Sequence, residues 1–295
     1  MLWCSARRSA GAFVFLLWSS VYYRSYLHAQ PLLSEVVRGG IVGPQDLLLK
    51  VWEILKSDGP ALGLQLNPSK CEWSWLNAEC TLPCPLAQVA LVPTSQIQML
   101  GVPLGSDEFV ASHVEGKLLA TAMKVMAKLA VFEDAQAAMY LLRLSYGIVR
   151  ANHFMRTTPL RQWSKVARKF DACVRDTVSQ ILGTTFPGDA YLQACISTKI
   201  GGLGVRLVEQ HADGAFNASW HEAGSTCGEK WLPPDAGAPV YQSQTDASAA
   251  VDRAALDGLI ARGSSETLNA FVGWMSITPT RGSQPCPLVQ MGRDV

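Results

Sequence analysis

Between Val110 and Gly183 apolar residues recur at helical spacing almost without a break. Leu119, Met123, Met126 and Ala130 follow one another at intervals of four, three and four, while Lys117, Lys124 and Lys128 fall away from that stripe. An α-helix places residues three and four apart on one face, so this pattern predicts an amphipathic helix with a buried side and a basic side. A second helix is expected over Asp134 to Arg150. A third is expected from the Thr158-Pro159 start, carrying Leu160, Trp163, Val166, Phe170 and Val174 inward and stopping at Gly183. The Met and aromatic stripes read as core.

The preceding stretch reads differently. From Leu64 to Leu104 short apolar runs are broken by Pro68, Pro83, Pro85, Pro93 and Pro103, which predicts short strands and loops with little helix. Before it, Gly39 to Pro44 reads as a strand end and a turn. Leu47, Leu48, Val51 and Leu55 then give one helical face, ending in the turn cluster Lys56 to Pro60. Beyond Gly183, helices are expected to alternate with glycine turns such as Ile200-Gly-Gly-Leu-Gly-Val-Arg206. After about Gly224 the composition shifts to Ser, Gly, Ala, Pro and Gln, with one short helix expected over Ala249 to Ala261.

Charge separates the same regions. The formal net charge is +1, which excludes a uniformly basic nucleic-acid coat and an acidic solvating tail. Yet Lys117 to Arg175 holds 11 basic residues against 3 acids, and Leu207 to Arg262 holds 3 basic residues against 8 acids. A basic middle is therefore followed by an acidic C-terminal third.

The 8 cysteines are scattered through a chain large enough to bury a core, so they read as reduced thiols of a nuclear or cytoplasmic protein. Cys71, Cys80 and Cys84 form the densest group, but no second pair lies near to complete a zinc site. Arg7 and Arg8 precede an uncharged run from Ser9 to Tyr23, shorter than the roughly 20 residues that span a bilayer. That run is signal-like and keeps a secretory or membrane alternative open, with Asn217-Ala218-Ser219 as a sequon relevant only there. Phosphate-loop, zinc-protease and serine-hydrolase motifs are absent, and His28, His113, His153, His211 and His221 show no ligand spacing. His153 near Arg156 reads as a packed residue or a phosphate contact.

Taken in order, several segments resemble one family. Gly63-Leu-Gln-Leu-Asn67-Pro-Ser-Lys70-Cys71-Glu72 is similar to the fourth palm motif of reverse transcriptases from LINE-type (non-LTR) retrotransposons. Leu100-Gly101-Val102-Pro103-Leu104-Gly105 resembles the primer-grip motif of that family. Leu141 to Ser145 and His153 to Pro159 resemble its helical thumb, and Phe170-Asp171 and Gly201 to Arg206 resemble the region downstream of the thumb in many such open reading frames. The likeness spans residues 39–222. It implies an α+β fold, predominantly helical, in which a partial palm of short strands leads into a helical thumb and connection. With the signal-like segment 1–38 and the Gly/Ser/Pro-rich tail 225–295 read from composition, the resemblance divides the rest into partial palm 39–106, basic thumb 107–183 and connection 184–224.

Members of that family polymerise DNA with two Mg2+ ions held by aspartates, an Asp-Asp turn among them. The corresponding place here reads Leu33-Ser-Glu-Val-Val-Arg-Gly-Gly-Ile41, and no Asp-Asp pair occurs in the 295 residues. The expectation is therefore a truncated, catalytically inactive relative with no cofactor, since Mg2+ belongs to an intact member. A longer active polymerase whose upstream exons are missing is the alternative. Lys70 matches the family's fourth-motif lysine. Lys117, Lys124, Lys128, Arg143, Arg150, Arg156, Arg161, Lys165, Arg168 and Lys169 are the implied nucleic-acid contacts. The implied partner is RNA or an RNA–DNA hybrid bound through its backbone without sequence choice, and no small-molecule substrate is expected.

Overall fold

The computed structural model describes residues 11–16, 35–37, 40–62, 66–75, 84–186, 188–227 and 239–263. Its first part is a sheet of order β2-β3-β1-β4-β5. The strands are β1 (Gly11–Leu16), β2 (Glu35–Val37), β3 (Gly40–Pro44), β4 (Cys71–Trp75) and β5 (Ala90–Leu91). The apolar residues of β1 lie at the centre, antiparallel to β3 on one side and β4 on the other. The segment 1–38 thus contributes two strands to the sheet; the rest of its signal-like run lies outside the described residues.

Pro44 ends β3 and opens helix α1 (Gln45–Asp58), where the missing amide hydrogen of proline costs nothing because no intrahelical acceptor awaits it. Leu48, Trp52 and Leu55, spaced four and three, are buried against Ile41, Cys71, Trp73, Trp75 and Val89. Of the expected face, Leu47 and Val51 are half-buried flanks. Trp73 and Trp75 meet edge to face at 5.5 Å.

Strands β6 (Gln96–Met99) and β7 (Val102–Gly105) form a separate hairpin. Ile97, Met99, Val102 and Leu104 share one face by strand alternation, and Ile97 and Met99 pack with Val42 of β3. The hairpin therefore stands between the sheet and the helices, which begin at once with Ser106. The Ser106 hydroxyl accepts from the Phe109 N–H at 3.3 Å and caps α2 (Asp107–Val114).

The helical part continues through α3 (Ala120–Leu129), α4 (Ala135–Leu141), α5 (Ile148–Thr157) and α6 (Ser164–Leu182). Two π turns, Glu115–Leu119 and Leu142–Tyr146, interrupt the regular winding. In α3, which follows the first, part of the expected stripe is overturned. Leu119 and Met126 are buried, but Met123 is 52% exposed, and Ala122 and Leu129 take the inward places. The second breaks the helix expected over Asp134 to Arg150 into α4 and α5, joined at Gly147, although Asp134 does cap α4. In α6 the expected residues Val166, Phe170 and Val174 are all buried, as are Leu160 and Trp163 just before it. Gly183 closes the helix at φ 62°.

Helices α7 (Gly188–Cys195), α8 (Val208–Cys227) and α9 (Gln244–Arg262) complete the described chain. Val208, Ala212 and Ala215 of α8 share one core with α2 to α6, so residues 107–183 and 184–224 are not separate packing units. Helix α9 is longer than expected and packs on α7 and α8. The described residues are mostly helical with a few short strands, an α+β arrangement.

Candidate nucleic-acid interface

The tip of the β6–β7 hairpin is a two-residue turn with positive φ at both positions, 50° at Leu100 and 84° at Gly101. Glycine adopts this backbone freely, whereas a side chain at Leu100 does so against steric resistance. Leu100 is 58% exposed, Leu104 is 41% exposed and Pro103 is buried. Two histidines of the helices lie against the turn. Burial keeps the His113 pKa below the usual histidine value, against the raising effect of the nearby Gly101 backbone. A Cβ on Gly101 would lie 3.6 Å from His153 Nε2. His153, read from sequence as a packed residue or a phosphate contact, is exposed but stacks edge-on to Phe154 at 5.6 Å. Lys70 lies apart from this turn in the chain, exposed where a short 3-10 turn enters β4. That turn is capped by Asn67, which accepts from the Ser69 N–H at 3.1 Å.

The basic residues fall into two groups. Lys117, Lys124, Lys128, Arg150, Arg161 and Lys165 are exposed and make no ion pair among the described residues. Lys124 and Lys128 are one turn apart on α3, and Lys165 lies one turn before Lys169 on α6, the helix packed against α3. The second group is paired. Arg156 donates to Glu222 at 2.7 Å, Lys169 donates to Glu115 at 2.6 Å, and Arg168 stands 3.7 Å from Glu209. Two of these three acids belong to α8, so the acidic C-terminal third lies partly on the basic middle. Arg143, in the second π turn, belongs to neither group: it is half-buried without a carboxylate partner among the described residues.

Sequence reasoning left unassigned what the structure builds around the glycine turn. Gly202 sits where a Cβ would collide with the Ile196 carbonyl oxygen, so the chain can pass there only as glycine. The turn is fastened to the end of α7 by Leu203 and Val205 N–H groups donating to the Ala194 carbonyl. It leads into α8, whose first amides Val208 N–H and Glu209 N–H donate to the two carboxylate oxygens of Asp171, at 2.8 and 3.0 Å. Phe170-Asp171 and Gly201 to Arg206, distant in sequence, are thus two halves of one joint. Burial pushes the Asp171 pKa up to about 6, against the lowering effect of the two amides. Arg206 in turn donates to the buried Asp252 of α9, and His211 stands 3.9 Å from the other oxygen. Burial and the Arg206 charge push the His211 pKa down to about 4, so it is neutral at pH 7.

Among the described residues no three or more His, Cys, Asp or Glu are arranged to hold a metal ion. Cys71 is buried with its thiol pushed up to about 11 by desolvation, Cys84 is half-buried, and Cys80 lies outside the described residues. Asn217 is half-buried within α8. No described helix is long and apolar enough to cross a membrane. No protein-family model, curated protein or solved structure matches the chain.

Proposed function

We propose that this chain is a reverse-transcriptase-like palm and thumb portion that grips the phosphate backbone of RNA or an RNA–DNA hybrid without catalysing polymerisation. The observation that carries the reading is the set of six exposed cations, without an ion pair among the described residues, on helices α3, α5 and α6 and the turns beside them, α3 packing on α6. The order of elements supports it. Within residues 39–222, strand β3, helix α1, the Asn67-to-Glu72 stretch entering β4, the β6–β7 hairpin and then basic helices follow one another, an order compatible with the reading. The missing Asp-Asp pair supports the inactive half of the reading. Backbone contacts from lysine and arginine release counterions, so such binding is independent of sequence and weakens steeply with salt.

The test is a titration of the full chain against a labelled RNA–DNA hybrid at several salt concentrations. Saturable binding with a linear fall of log affinity against log salt is expected. The triple variant Lys124→Gln, Lys128→Gln, Lys165→Gln is expected to reduce that slope by about 2 to 3, close to one unit per lost phosphate contact. Absence of binding at low salt by a folded chain would falsify the reading.

A further inference from the structure

Three arginines among the described residues are half-buried: Arg143, Arg156 and Arg206. Arg156 donates to Glu222 and Gln244, and Arg206 donates to Asp252. Arg143 has no protein acceptor among the described residues. Its guanidinium rests on the glycine turn: a Cβ on Gly204 would lie 3.2 Å from Arg143 Nε and 3.5 Å from Nη2. Gly204 has φ 71°, so glycine there serves both the backbone and the space the guanidinium occupies. Between the second π turn and the glycine turn lies a niche with apolar lining from Leu142, Ile148, Val174 and Val205. Arg143 and Arg206 are the two charged residues on it. Its volume is about 10 Å³, room for one water-sized atom and too small for a sugar or a base.

We propose that this niche is an oxyanion subsite in which Arg143 receives one oxygen of a phosphoryl group. The charge balance favours an anion. Asp252 offsets Arg206, His211 is neutral, and the Arg143 charge is left over. A guanidinium is planar, always charged and weakly hydrated, and its paired donors suit the oxygens of a phosphoryl group. The π turn supplies the placement, since its extra residue displaces the Arg143 side chain from the regular helical progression. The subsite rests on the backbone-gripping reading only for the source of the phosphate. A phosphodiester of a bound strand and free inorganic phosphate present the same oxygens.

The experiment tracks the thermal midpoint of the full chain as phosphate replaces chloride at matched ionic strength and neutral pH, alongside hybrid titrations. Wild-type protein is expected to melt higher in phosphate. Arg143→Gln is expected to lose that rise and to bind hybrid about tenfold more weakly. Lys50→Gln, an exposed cation of α1 that does not line the niche, is expected to keep the rise. Arg143→Lys retains charge without the two-donor geometry and is expected to show a reduced rise, which keeps the test decisive if the glutamine variant does not fold. No phosphate-dependent rise in wild type, or a full rise in either Arg143 variant, overturns the subsite. Loss of the rise in Arg143→Gln with unchanged hybrid binding upholds the subsite and assigns it to free phosphate, leaving the grip on the strand to the six exposed cations; absence of hybrid binding by wild type together with a phosphate-dependent rise upholds the subsite and overturns the backbone-gripping reading.

Discussion

Leu100 occupies a left-handed backbone that Asn or Gly adopts more readily, and its side chain is largely in solvent. Folding alone gives no reason for leucine there. Leu100→Asn is expected to stabilise the chain by about 1 kcal/mol in a urea melt, by relieving the strain of a non-glycine residue in that region. Asp171 sits at the opposite extreme, buried and bonded to two amides of α8. Asp171→Ala removes that cap and is expected to cost about 1–2 kcal/mol. Its titration gives a sharper test. From pH 3.8 to about 6 the folded chain keeps the Asp171 proton that the unfolded chain has released, so this group lowers stability as pH rises. His211 acts the other way. From pH 6.5 down to about 4 the unfolded chain takes up a proton that the folded chain refuses, so stability falls as pH falls. The two slopes oppose each other over the same interval. Denaturant melts of Asp171→Asn are therefore expected to show stability falling more steeply with acidification than in wild type, and those of His211→Gln less steeply. Parallel profiles for all three proteins would exclude both assignments.

At the scale of elements, the glycine turn and the π turns decide where side chains point. Gly202→Ala brings a methyl group against the Ile196 carbonyl and is expected to cost about 1–3 kcal/mol, read from the same denaturant melts. Part of this level is legible in the sequence. The α6 stripe, the stop at Gly183 and the helix-poor proline segment come from periodicity and turn residues, which are local, whereas the stretch Leu100 to Gly105 is singled out by the resemblance alone. Met123 faces outward against the sequence pattern because the buried arc of α3 runs through Ala122, Met126 and Leu129, one residue to the side of the stripe that Met123 and Ala130 suggest, and small Ala122 gives no apolar signal strong enough to mark it. The break at Gly147 is hidden too: the apolar spacing continues across it while the winding changes. Asp171 reads in sequence only as a polar residue on an apolar stripe. Its partner amides lie 37 and 38 residues away, and a cap formed over that distance leaves no spacing to find.

For the whole molecule, the near-neutral total charge reflects attraction between its own parts. Arg156 and Arg168 of the basic middle meet Glu222 and Glu209 of α8, contacts that a charge count by segment shows only as opposite signs. These pairs are partly to largely exposed, so they add little stability. They do occupy cations that a polyanion would use. Glu209→Gln combined with Glu222→Gln is expected to tighten hybrid binding by about twofold to fivefold at low salt while leaving the thermal midpoint nearly unchanged; weaker binding would argue against those arginines facing the strand. The joint between Asp171 and α8 also bears on synthesis. Helix α6 leaves the ribosome before the amides that bond Asp171 have been made. At about 5–20 residues per second those amides emerge roughly 2–8 seconds later. During that interval the face of α6 that α8 covers stays open, so nascent chains halted before residue 208 should be caught by chaperones more readily than chains halted after α8 has emerged.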